Sequence, residues 1–568
     1  MKFDALARTR LISFGLILIG ALFLVRLFYI QIINGNNYSD QADRQYLRPT
    51  NNAFDRGSIF FTTKDGNLVS AATLKVGYLV TINPQLIKNA SSTYQTLAAI
   101  FPLEPVAFMK SALDKTDHYE EIASHIDQTS ADKIVAAKLP GVYIYKQKWR
   151  FYPGGKTASH LIGFMGFRGD EYLGRYGLEK SANDILARHN DGLKINFFAE
   201  VFADFNSALK NKSLGQEGDI VLTIEPVVQN TLEKELDAFN DKWHPDSAGA
   251  IILNPDTGEI YAMAATPNFD PNAKQEEIKV LNNPLVEKNY EMGSIFKPLT
   301  VAAALDTGAI TASTTYNDKG TITLNGRRIS NFDFKARGVI PMQEVLNQSL
   351  NLGATFAMQR LGHQNLHDYF VKYGLTEKTG IDLPNEALGL FSNLESKREV
   401  EYANMSFGQG IAVTPINMAR ALATLGNGGK LIVPHVIKQI NYTNLLTKTI
   451  APVNVRQVLK PATSYEISRM LSIVVDTALA GGKDKQEHYS IAAKTGTAQI
   501  AKEGGGGYYE DRYLHSFFGY FPAYSPRFLV FLYAYYPKGA KYASETWTPT
   551  FMNLNHFLTA YYELAPDR

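Results

Sequence analysis

An apolar segment close to the N-terminus places the strongest constraint on how this 568-residue chain can fold. From Leu11 to Ile33 the side chains are almost all apolar, with Arg26 and Gln31 as the main polar interruptions. A helix of that length spans about 35 Å at ~1.5 Å per residue, which exceeds the ~30 Å hydrocarbon core of a bilayer. We therefore predict one transmembrane anchor over residues 11–33, with the remaining chain folded in water.

The charges that flank this segment predict its orientation. The first ten residues contain three basic side chains, and no lysine or arginine follows the segment until Arg44. This bias predicts a cytoplasmic tail over residues 1–10 and an extracytoplasmic location for the chain after residue 33. No small-x-small cleavage pattern follows Ile33, so we expect the anchor to be kept. A buried core helix is the alternative interpretation, and the flanking charges disfavour it.

The composition excludes several classes of function. The formal net charge is +2 at pH 7, from 57 basic and 55 acidic residues, so nucleic acid is not an expected partner. There is no cysteine, which excludes disulfides, thiol catalysis and cysteine-bound metals. The 11 histidines show no HExxH or similar ligand spacing, so neither a metal nor another cofactor is predicted.

A chain of this length needs two or more folded domains, and we place a boundary close to residue 215. Residues 34–215 contain strand patterns, such as Val76–Ile82, and helical patterns around 93–139. They contain no constellation of residues that suggests catalysis. We interpret this region as a stalk or docking domain.

Residues 216–568 have the pattern of a second domain built on a sheet. The predicted elements at its two ends are a strand over 219–224, an amphipathic helix over 225–240, a hairpin over 248–264, strands over 515–521 and 527–536, and a helix over 550–564. Between them, residues 270–485 are rich in helical patterns. This order predicts an antiparallel sheet flanked by helices and interrupted by an inserted helical portion. Four glycines over 504–507 predict a mobile loop between two of the strands.

Three short motifs in this second domain point to chemistry. In chain order they are Ser294-x-x-Lys297, Ser349-x-Asn351 and Lys494-Thr495-Gly496-Thr497. On a helix, the spacing of the first motif puts a serine and a lysine on one face, where the amine can take the hydroxyl proton. Each motif alone is weak, because similar matches occur at Ser130, Ser181, Ser207 and Lys378. The order and the shared domain single out the first set.

This ordered set resembles the active-site pattern of class B, monofunctional penicillin-binding proteins. Longer blocks of the family are also similar to this chain, namely "FDRGSIFFTTKDGNLVS", "RFYPGGKTASHLIGFMG", "YGLEK", "LNPDTGEIYAMAATPNFDPN" and "SFGQGIAVTPINMARA". The resemblance covers nearly the whole chain. It implies an α+β multidomain fold with an N-terminal transmembrane helix, an elongated pedestal of the dimerisation type over 34–215, and a β-lactamase-like transpeptidase domain over 216–568.

Two positions depart from the family pattern. Met292 stands where proline is common, which we expect to alter the turn before the first motif but not the chemistry. Leu350 stands where serine or cysteine is frequent, which makes the middle motif less polar.

The resemblance implies a peptidoglycan D,D-transpeptidase that works through a serine acyl-enzyme and is a target of β-lactams. Ser294 would be the nucleophile, Lys297 a general base with a lowered pKa, and Ser349 a proton carrier to the leaving amine. The expected substrate-binding residues are Asn351, Lys494, Thr495, Gly496 and Thr497. The backbone N–H groups of Ser294 and Thr497 would form the oxyanion hole.

The sequence leaves several activities open. A β-lactamase would share the serine and lysine but would need neither an anchor nor a pedestal. A D-alanine carboxypeptidase and a non-catalytic penicillin-binding receptor or scaffold are further alternatives. The stretch "SLNLGATFAMQRLG" resembles the septal branch of the family, so we predict a role in cell division, with elongation as the runner-up.

The same resemblance predicts location and partners. We expect a single-pass protein of the bacterial inner membrane with its catalytic domain outside the cytoplasm. The expected partners are peptidoglycan stem peptides, β-lactams, a membrane glycosyltransferase and divisome-type proteins.

Overall fold

The computed structural model describes residues 18–20, 22, 23, 26, 55–168, 171–188, 217–273, 280–502, 504 and 506–568. Among these residues, no helix combines the length and the apolar character needed to cross a membrane. The predicted anchor lies largely outside them, as does the predicted domain boundary near residue 215, so both stay predictions.

The strands in chain order are β1 (Ile59–Thr62), β2 (Leu68–Ile82), β3 (Glu120–Ile126), β4 (Val142–Phe151), β5 (Met165–Arg168), β6 (Glu171–Gly174), β7 (Gly218–Leu222), β8 (Ser247–Leu253), β9 (Ile260–Thr266), β10 (Thr315–Asp318), β11 (Thr321–Leu324), β12 (Arg327–Ser330), β13 (Gly338–Pro341), β14 (Lys430–Ile432), β15 (Ile437–Tyr442), β16 (Thr447–Thr449), β17 (Asn454–Gln457), β18 (Ala492–Ala501), β19 (Tyr508–Phe521) and β20 (Phe528–Tyr535).

The α-helices are α1 (Ala90–Ala98), α2 (Pro105–Leu113), α3 (Gln128–Ala136), α4 (Ser159–Ile162), α5 (Gly177–Ser181), α6 (Asn183–Leu186), α7 (Pro226–Trp243), α8 (Pro284–Glu287), α9 (Lys297–Asp306), α10 (Met342–Asn347), α11 (Asn351–Leu361), α12 (His363–Lys372), α13 (Glu399–Ser406), α14 (Pro415–Gly426), α15 (Pro461–Ile473) and α16 (Ala543–Tyr561).

The described chain folds as two compact units. The smaller unit consists mainly of residues 75–149, which are inserted in the sequence between two parts of the larger unit. The larger unit comprises residues 56–74, 150–188 and the described residues from 217 onward. The region predicted as a single first domain therefore contributes to both units.

In the smaller unit, β3 and β4 pair with the second half of β2, and helices α1 to α3 supply the rest of the fold. The side chains of Asn89 and Asp127 cap α1 and α3 by accepting hydrogen bonds from backbone N–H groups of the first turn. The prediction of helix around 93–139 is wrong for Glu120–Ile126, because this segment pairs with β2 as a strand. The core of the smaller unit includes the buried side chains of Val80, Ile82, Leu97, Phe108 and Ile134.

A five-stranded antiparallel sheet in the order β18–β19–β20–β8–β9 forms the centre of the larger unit. The predicted hairpin over 248–264 is the pair β8 and β9, and its turn ends at Gly258 with φ +82°, which glycine adopts without steric cost. β18 is the outer strand on one side, so one of its edges is unpaired within the described sheet. That strand carries the Lys494–Thr497 motif.

Helices cover both faces of this sheet. Alternate residues of β20 enter two different cores, with Val530 and Leu532 in one and Leu529 and Phe531 in the other. On the first face α7 and α16 pack together, and the rings of Phe239 and Trp547 stack with centroids 3.6 Å apart. Residues 280–490 supply helices α8 to α15 with a few short strand pairs, so the predicted helix-rich insertion is confirmed.

A buried group of charges lies in the part of the larger unit that precedes residue 189. Glu179 accepts hydrogen bonds from Arg56 Nε and from Arg150 Nε, both at 2.6 Å. Arg150 also donates to the carbonyl of Gly57 at 2.8 Å. All three charged side chains are almost completely buried. The Glu179 carboxylate therefore joins three segments that carry the family resemblance, "RGSIF", "RFYPGG" and "YGLEK".

Candidate active site

The Ser294 segment is a tight turn that leads directly into a helix. Gly293–Phe296 form a 3-10 helix, and α9 begins at Lys297. Pro298 occupies the first turn of α9, where no intrahelical bond needs its missing N–H. Ile295 and Phe296 are fully buried, whereas Ser294 is partly exposed. Lys297 therefore lies in the first turn of α9, and the two residues between it and Ser294 pack inward.

Gly293 holds this turn between two neighbouring segments. Its φ of +63° is in the left-handed region, and an added Cβ would lie 3.0 Å from the Cβ of Ala498 on β18. Its N–H donates to the carbonyl of Gly408 at 3.1 Å. The preceding Met292 has φ −86°, within a few degrees of the range that proline allows, so the change of turn expected from this residue is small.

The amine of Lys297 is directed at Ser349. Lys297 is fully buried, and its Nζ donates to the Ser349 carbonyl at 2.5 Å and to Ser349 Oγ at 3.2 Å. Ser349 has φ +55°, a left-handed conformation that is uncommon for a residue with a side chain. Because of this conformation, both the carbonyl and the hydroxyl of one residue face the same amine.

Two buried lysines determine the electrostatics of the site. Burial, and secondly the positive charge of Lys494, lower the pKa of Lys297 well below its ordinary value. Burial lowers the pKa of Lys494 to about 7. A buried amine has little water to hydrate its charge, and a nearby positive charge repels it, so both effects favour the neutral base. The site therefore favours the uncharged form of Lys297, which is the form that can accept a proton.

The Lys494–Thr497 motif lies on β18 against the Ser294 turn. An added Cβ on Gly496 would lie 2.3 Å from Ser516 Oγ and 2.8 Å from the Met292 carbonyl oxygen. Ser516 Oγ in turn donates to that carbonyl at 2.7 Å. Gly496 is among the predicted substrate-binding residues, and the structure shows a packing reason for glycine here, since β18 and the turn meet at this residue.

The neighbours of Gly496 have polar contacts of their own. Lys494 Nζ donates to the carbonyl of Thr495 at 3.1 Å. Thr497 Oγ1 accepts a hydrogen bond from the Ala543 N–H, at the start of α16, at 3.0 Å. Thr495 and Thr497 are both partly exposed. Both threonines are therefore partly accessible beside the Ser294 turn, and we call the space that this turn and β18 border the cleft.

Asn351 begins helix α11, two residues after Ser349. Its Nδ2 donates to the carbonyl of Ser330, the last residue of β12, at 2.9 Å. The middle motif is therefore held by a hairpin of the inserted region as well as by α11. The side chain of Asn351 is partly exposed beside Ser349.

The comparisons with known proteins agree with this arrangement. A sequence model of the penicillin binding protein transpeptidase domain matches residues 248–555, and one of the penicillin-binding protein dimerisation domain matches residues 54–197. The chain is a class B penicillin-binding protein. Its fold accordingly combines a dimerisation domain and a transpeptidase domain of mixed α+β structure.

Individual relatives of this penicillin-binding protein share most of its length. Stage V sporulation protein D of Bacillus subtilis (strain 168) is 33% identical over 532 residues, which are 90% of this chain and 79% of the relative. The peptidoglycan D,D-transpeptidase FtsI of Escherichia coli (strain K12) is 28% identical over 546 residues, 93% and 87% of the two chains. The solved structure of penicillin binding protein 2X from Streptococcus thermophilus has the same fold, with a TM-score of 0.72 at 21% identity, over 90% of this chain and 81% of that one.

The competing motif matches lie elsewhere in the penicillin-binding protein. Ser130 is partly exposed on helix α3 of the smaller unit, where its N–H donates to the helix cap Asp127 at 2.9 Å. Ser181 Oγ donates to the carbonyl of Asp382 at 2.8 Å, and the loop after Lys378 is held by Glu386, which accepts the Thr379 N–H at 2.6 Å. Ser207 lies outside the described residues. The described competing matches have structural contacts that explain them.

One contact of the site carries no sequence signal. Glu291, three residues before Ser294, accepts hydrogen bonds from Tyr508 Oη at 2.9 Å and from the Gly410 N–H at 3.1 Å. Burial raises the pKa of the Glu291 carboxyl. Tyr508 begins β19 directly after the glycine run 504–507. Glu291 therefore connects the Ser294 segment to the loop that contains Gly410 and to the start of β19, both distant in sequence.

Proposed function

We propose that this penicillin-binding protein cross-links peptidoglycan as a serine D,D-transpeptidase, with Ser294 as the nucleophile. The observation that carries the proposal is the buried Lys297 amine, one helical turn from Ser294, bound to Ser349 and placed beside Lys494. Several relatives are named peptidoglycan D,D-transpeptidases. A serine hydroxyl is a weak nucleophile, and a neutral amine one turn away supplies the base that it needs.

In the acylation step, Ser294 Oγ attacks the carbonyl carbon of the penultimate D-alanine of a stem peptide. The neutral amine of Lys297 takes the hydroxyl proton as the new C–O bond forms. The backbone N–H groups of Ser294 and Thr497 stabilise the oxyanion, and each such donor contributes about 3–4 kcal/mol. The C–N bond then breaks, and the leaving D-alanine nitrogen receives a proton through the hydroxyl of Ser349.

The remaining motif residues position the stem peptide. Because Asn351 Nδ2 is bound to Ser330, its Oδ1 is the atom that we assign to the amide N–H of the substrate. Thr497 Oγ1 already accepts a hydrogen bond, so its proton is available to the terminal carboxylate, together with that of Thr495. The negative charge of this carboxylate raises the pKa of Lys494 above about 7, and the lysine then binds it as a cation.

The second half-reaction uses the same groups in reverse. The amine of a neighbouring stem peptide attacks the acyl-enzyme carbonyl and loses a proton to the base, and Ser294 Oγ regains its proton as it leaves. Water in place of the amine gives carboxypeptidase activity as a minor reaction. The products are one cross-link and one free D-alanine for each turnover.

Labelling with a fluorescent penicillin tests this assignment. The unmodified protein is expected to form a stable covalent adduct, and Ser294→Ala is expected to form none. Ser130→Ala is the matched control, since it changes the serine of another Ser-x-x-Lys sequence and should label normally. Label retained by Ser294→Ala would refute the assignment, and rapid loss of label from the unmodified protein would favour a β-lactamase.

We further propose that the enzyme acts in septal wall synthesis from the outer side of the bacterial inner membrane. The proposal is supported by the likeness of "SLNLGATFAMQRLG" to the septal branch, by relatives named FtsI, and by the apolar segment 11–33 with its flanking charges. A membrane glycosyltransferase and divisome-type proteins are its proposed partners. A fluorescent fusion should collect at the division site, and lateral localisation would indicate elongation instead. A fusion lacking residues 11–33 should leave the membrane fraction.

A further inference from the structure

Two phenylalanines are exposed on a loop beside the cleft. The loop covers residues 331–337 between β12 and β13, and it carries Phe332 at 50% and Phe334 at 66% exposure. Loop residues are usually polar, because exposed aromatic surface is unfavourable in water. The internal core of the larger unit gains little from either ring. Such residues at a cleft indicate contact with something outside the chain.

The loop that carries these rings is held in place by side chains. Asn331 is buried, and its Nδ2 donates to both carboxylate oxygens of Asp318, at 3.0 and 2.9 Å. Arg337 donates to both oxygens of Asp333, at 2.7 and 2.8 Å, and its Nε donates to Gln348 Oε1 at 3.1 Å. The two phenylalanines are therefore presented by a preorganised surface.

The loop borders the proposed catalytic site on two sides. Asn351 donates to Ser330 at the start of the loop, and the Leu352 N–H donates to Asn331 Oδ1 at 3.2 Å. The ring of Phe332 lies edge-on to Tyr542 with centroids 5.9 Å apart. The residue after Tyr542 is the one whose N–H binds Thr497. A molecule bound at Phe332 and Phe334 would therefore extend into the cleft.

Positive charges surround these rings. The guanidinium of Arg328 lies 5.9 Å from the ring centre of Phe334, and Lys541 Nζ lies 5.4 Å from that of Tyr542. Lys335, on the loop itself, is exposed. Arg337 is compensated by Asp333, and no other acidic residue lies between residues 327 and 341. We call this surface, formed by Arg328, Phe332, Phe334, Lys335 and Lys541, the aromatic-basic rim.

We propose that the aromatic-basic rim binds the glycan–peptide strand of uncross-linked peptidoglycan whose stem enters the cleft. Sugar rings present apolar C–H faces that stack on aromatic side chains, and the stem peptides carry carboxylates that lysine and arginine bind. The strand is the occupant that offers both chemistries and is covalently attached to the substrate of Ser294. The proposal rests on the transpeptidase function proposed above.

The test compares one variant pair on two kinds of donor. Phe334→Ala and Arg328→Glu are assayed with uncross-linked polymeric peptidoglycan and with a short D-Ala-D-Ala stem peptide that has no sugar. We expect kcat/KM on the polymer to fall about fivefold to tenfold in each variant, while turnover of the short peptide and acylation by penicillin stay unchanged. Lys242→Glu is the matched control, because it reverses the charge of an exposed lysine beside Trp243, on α7. It should leave kcat/KM unchanged on both substrates.

Four results would overturn the proposal. Equal losses on polymer and short peptide would mean that the loop supports the cleft itself. No loss on the polymer would mean that the rim does not bind the strand, and weaker capture of a partner protein with unchanged polymer turnover would assign the rim to that partner. Failure of the unmodified protein to react with penicillin would instead overturn the transpeptidase function, and with it this inference.

Discussion

Replacing Gly496 by alanine should move β18 away from the turn that carries Ser294. The added Cβ would lie 2.3 Å from Ser516 Oγ, 2.8 Å from the Met292 carbonyl oxygen and 3.1 Å from Ile295 Cγ2. Comfortable contacts of this kind are about 3.5–4 Å, so the overlaps approach 1 Å. The serine hydroxyl can rotate away, but the carbonyl belongs to the backbone of the turn and can move only with it.

The expected loss of stability has two contributions. Rotation of Ser516 breaks its 2.7 Å hydrogen bond to Met292, which costs about 1 kcal/mol. Overpacking of the junction adds about 1–3 kcal/mol. The larger effect is expected on catalysis, because a displacement approaching 1 Å between Ser294 and β18 lowers the rate by about 100-fold.

The assay is the second-order rate of acylation by a labelled penicillin, measured together with urea unfolding. Ser516→Ala alone loses the hydrogen bond without a clash, and it should acylate much faster than Gly496→Ala. The double variant with Ser516→Gly should recover part of the rate, since the contact with Met292 remains. If Gly496→Ala acylates and unfolds like the unmodified protein, the packing argument for this residue is wrong.

Three other substitutions have defined outcomes. Lys494→Met removes a positive charge and should therefore raise the pKa of Lys297. Because acylation needs the neutral amine of Lys297, the acidic limb of the pH profile for acylation should move to higher pH. An unchanged limb would contradict the electrostatic coupling of the two lysines. Ser349→Ala removes the hydroxyl but keeps the carbonyl contact to Lys297, so single-turnover acylation should slow by about 10²- to 10³-fold without a loss of stability in thermal unfolding. Glu179→Ala leaves two buried guanidinium groups uncompensated and should lower the free energy of unfolding by about 3–5 kcal/mol in urea titration. Replacement of the partly exposed Glu235 by alanine is the control and should have little effect.

The parts of this fold that could be predicted from the sequence depend on local patterns. The apolar spacing of the helix over 225–240 and the Pro-Asp-Thr-Gly turn of the first hairpin are both readable within some twenty residues, and the structure confirms both. The segment Glu120–Ile126 shows the limit, since its strand state comes from pairing with β2 about forty residues earlier. No local sequence pattern predicts that pairing.

The candidate site could likewise be predicted only in part from the sequence. Motif order identified the segments that the structure brings together, with Lys297 bound to Ser349 and Gly496 packed on the turn that carries Ser294. The left-handed backbone of Ser349 and the contact of Glu291 with Tyr508 could not be predicted, because each depends on a fold that brings distant residues to within hydrogen-bond distance. The roles assigned to the individual residues stay predictions until the variants are measured.

The buried cluster around Glu179 has a consequence for biosynthesis. The two arginines precede Glu179 in the chain, and residues 75–149, the main part of the smaller unit, are synthesised between Arg56 and Arg150. As the chain is synthesised, neither guanidinium can pair with the Glu179 carboxylate until residue 179 has been added. The smaller unit has its own core and can form during that interval, so the first-encoded part of the larger unit is completed only after the segment inserted into it.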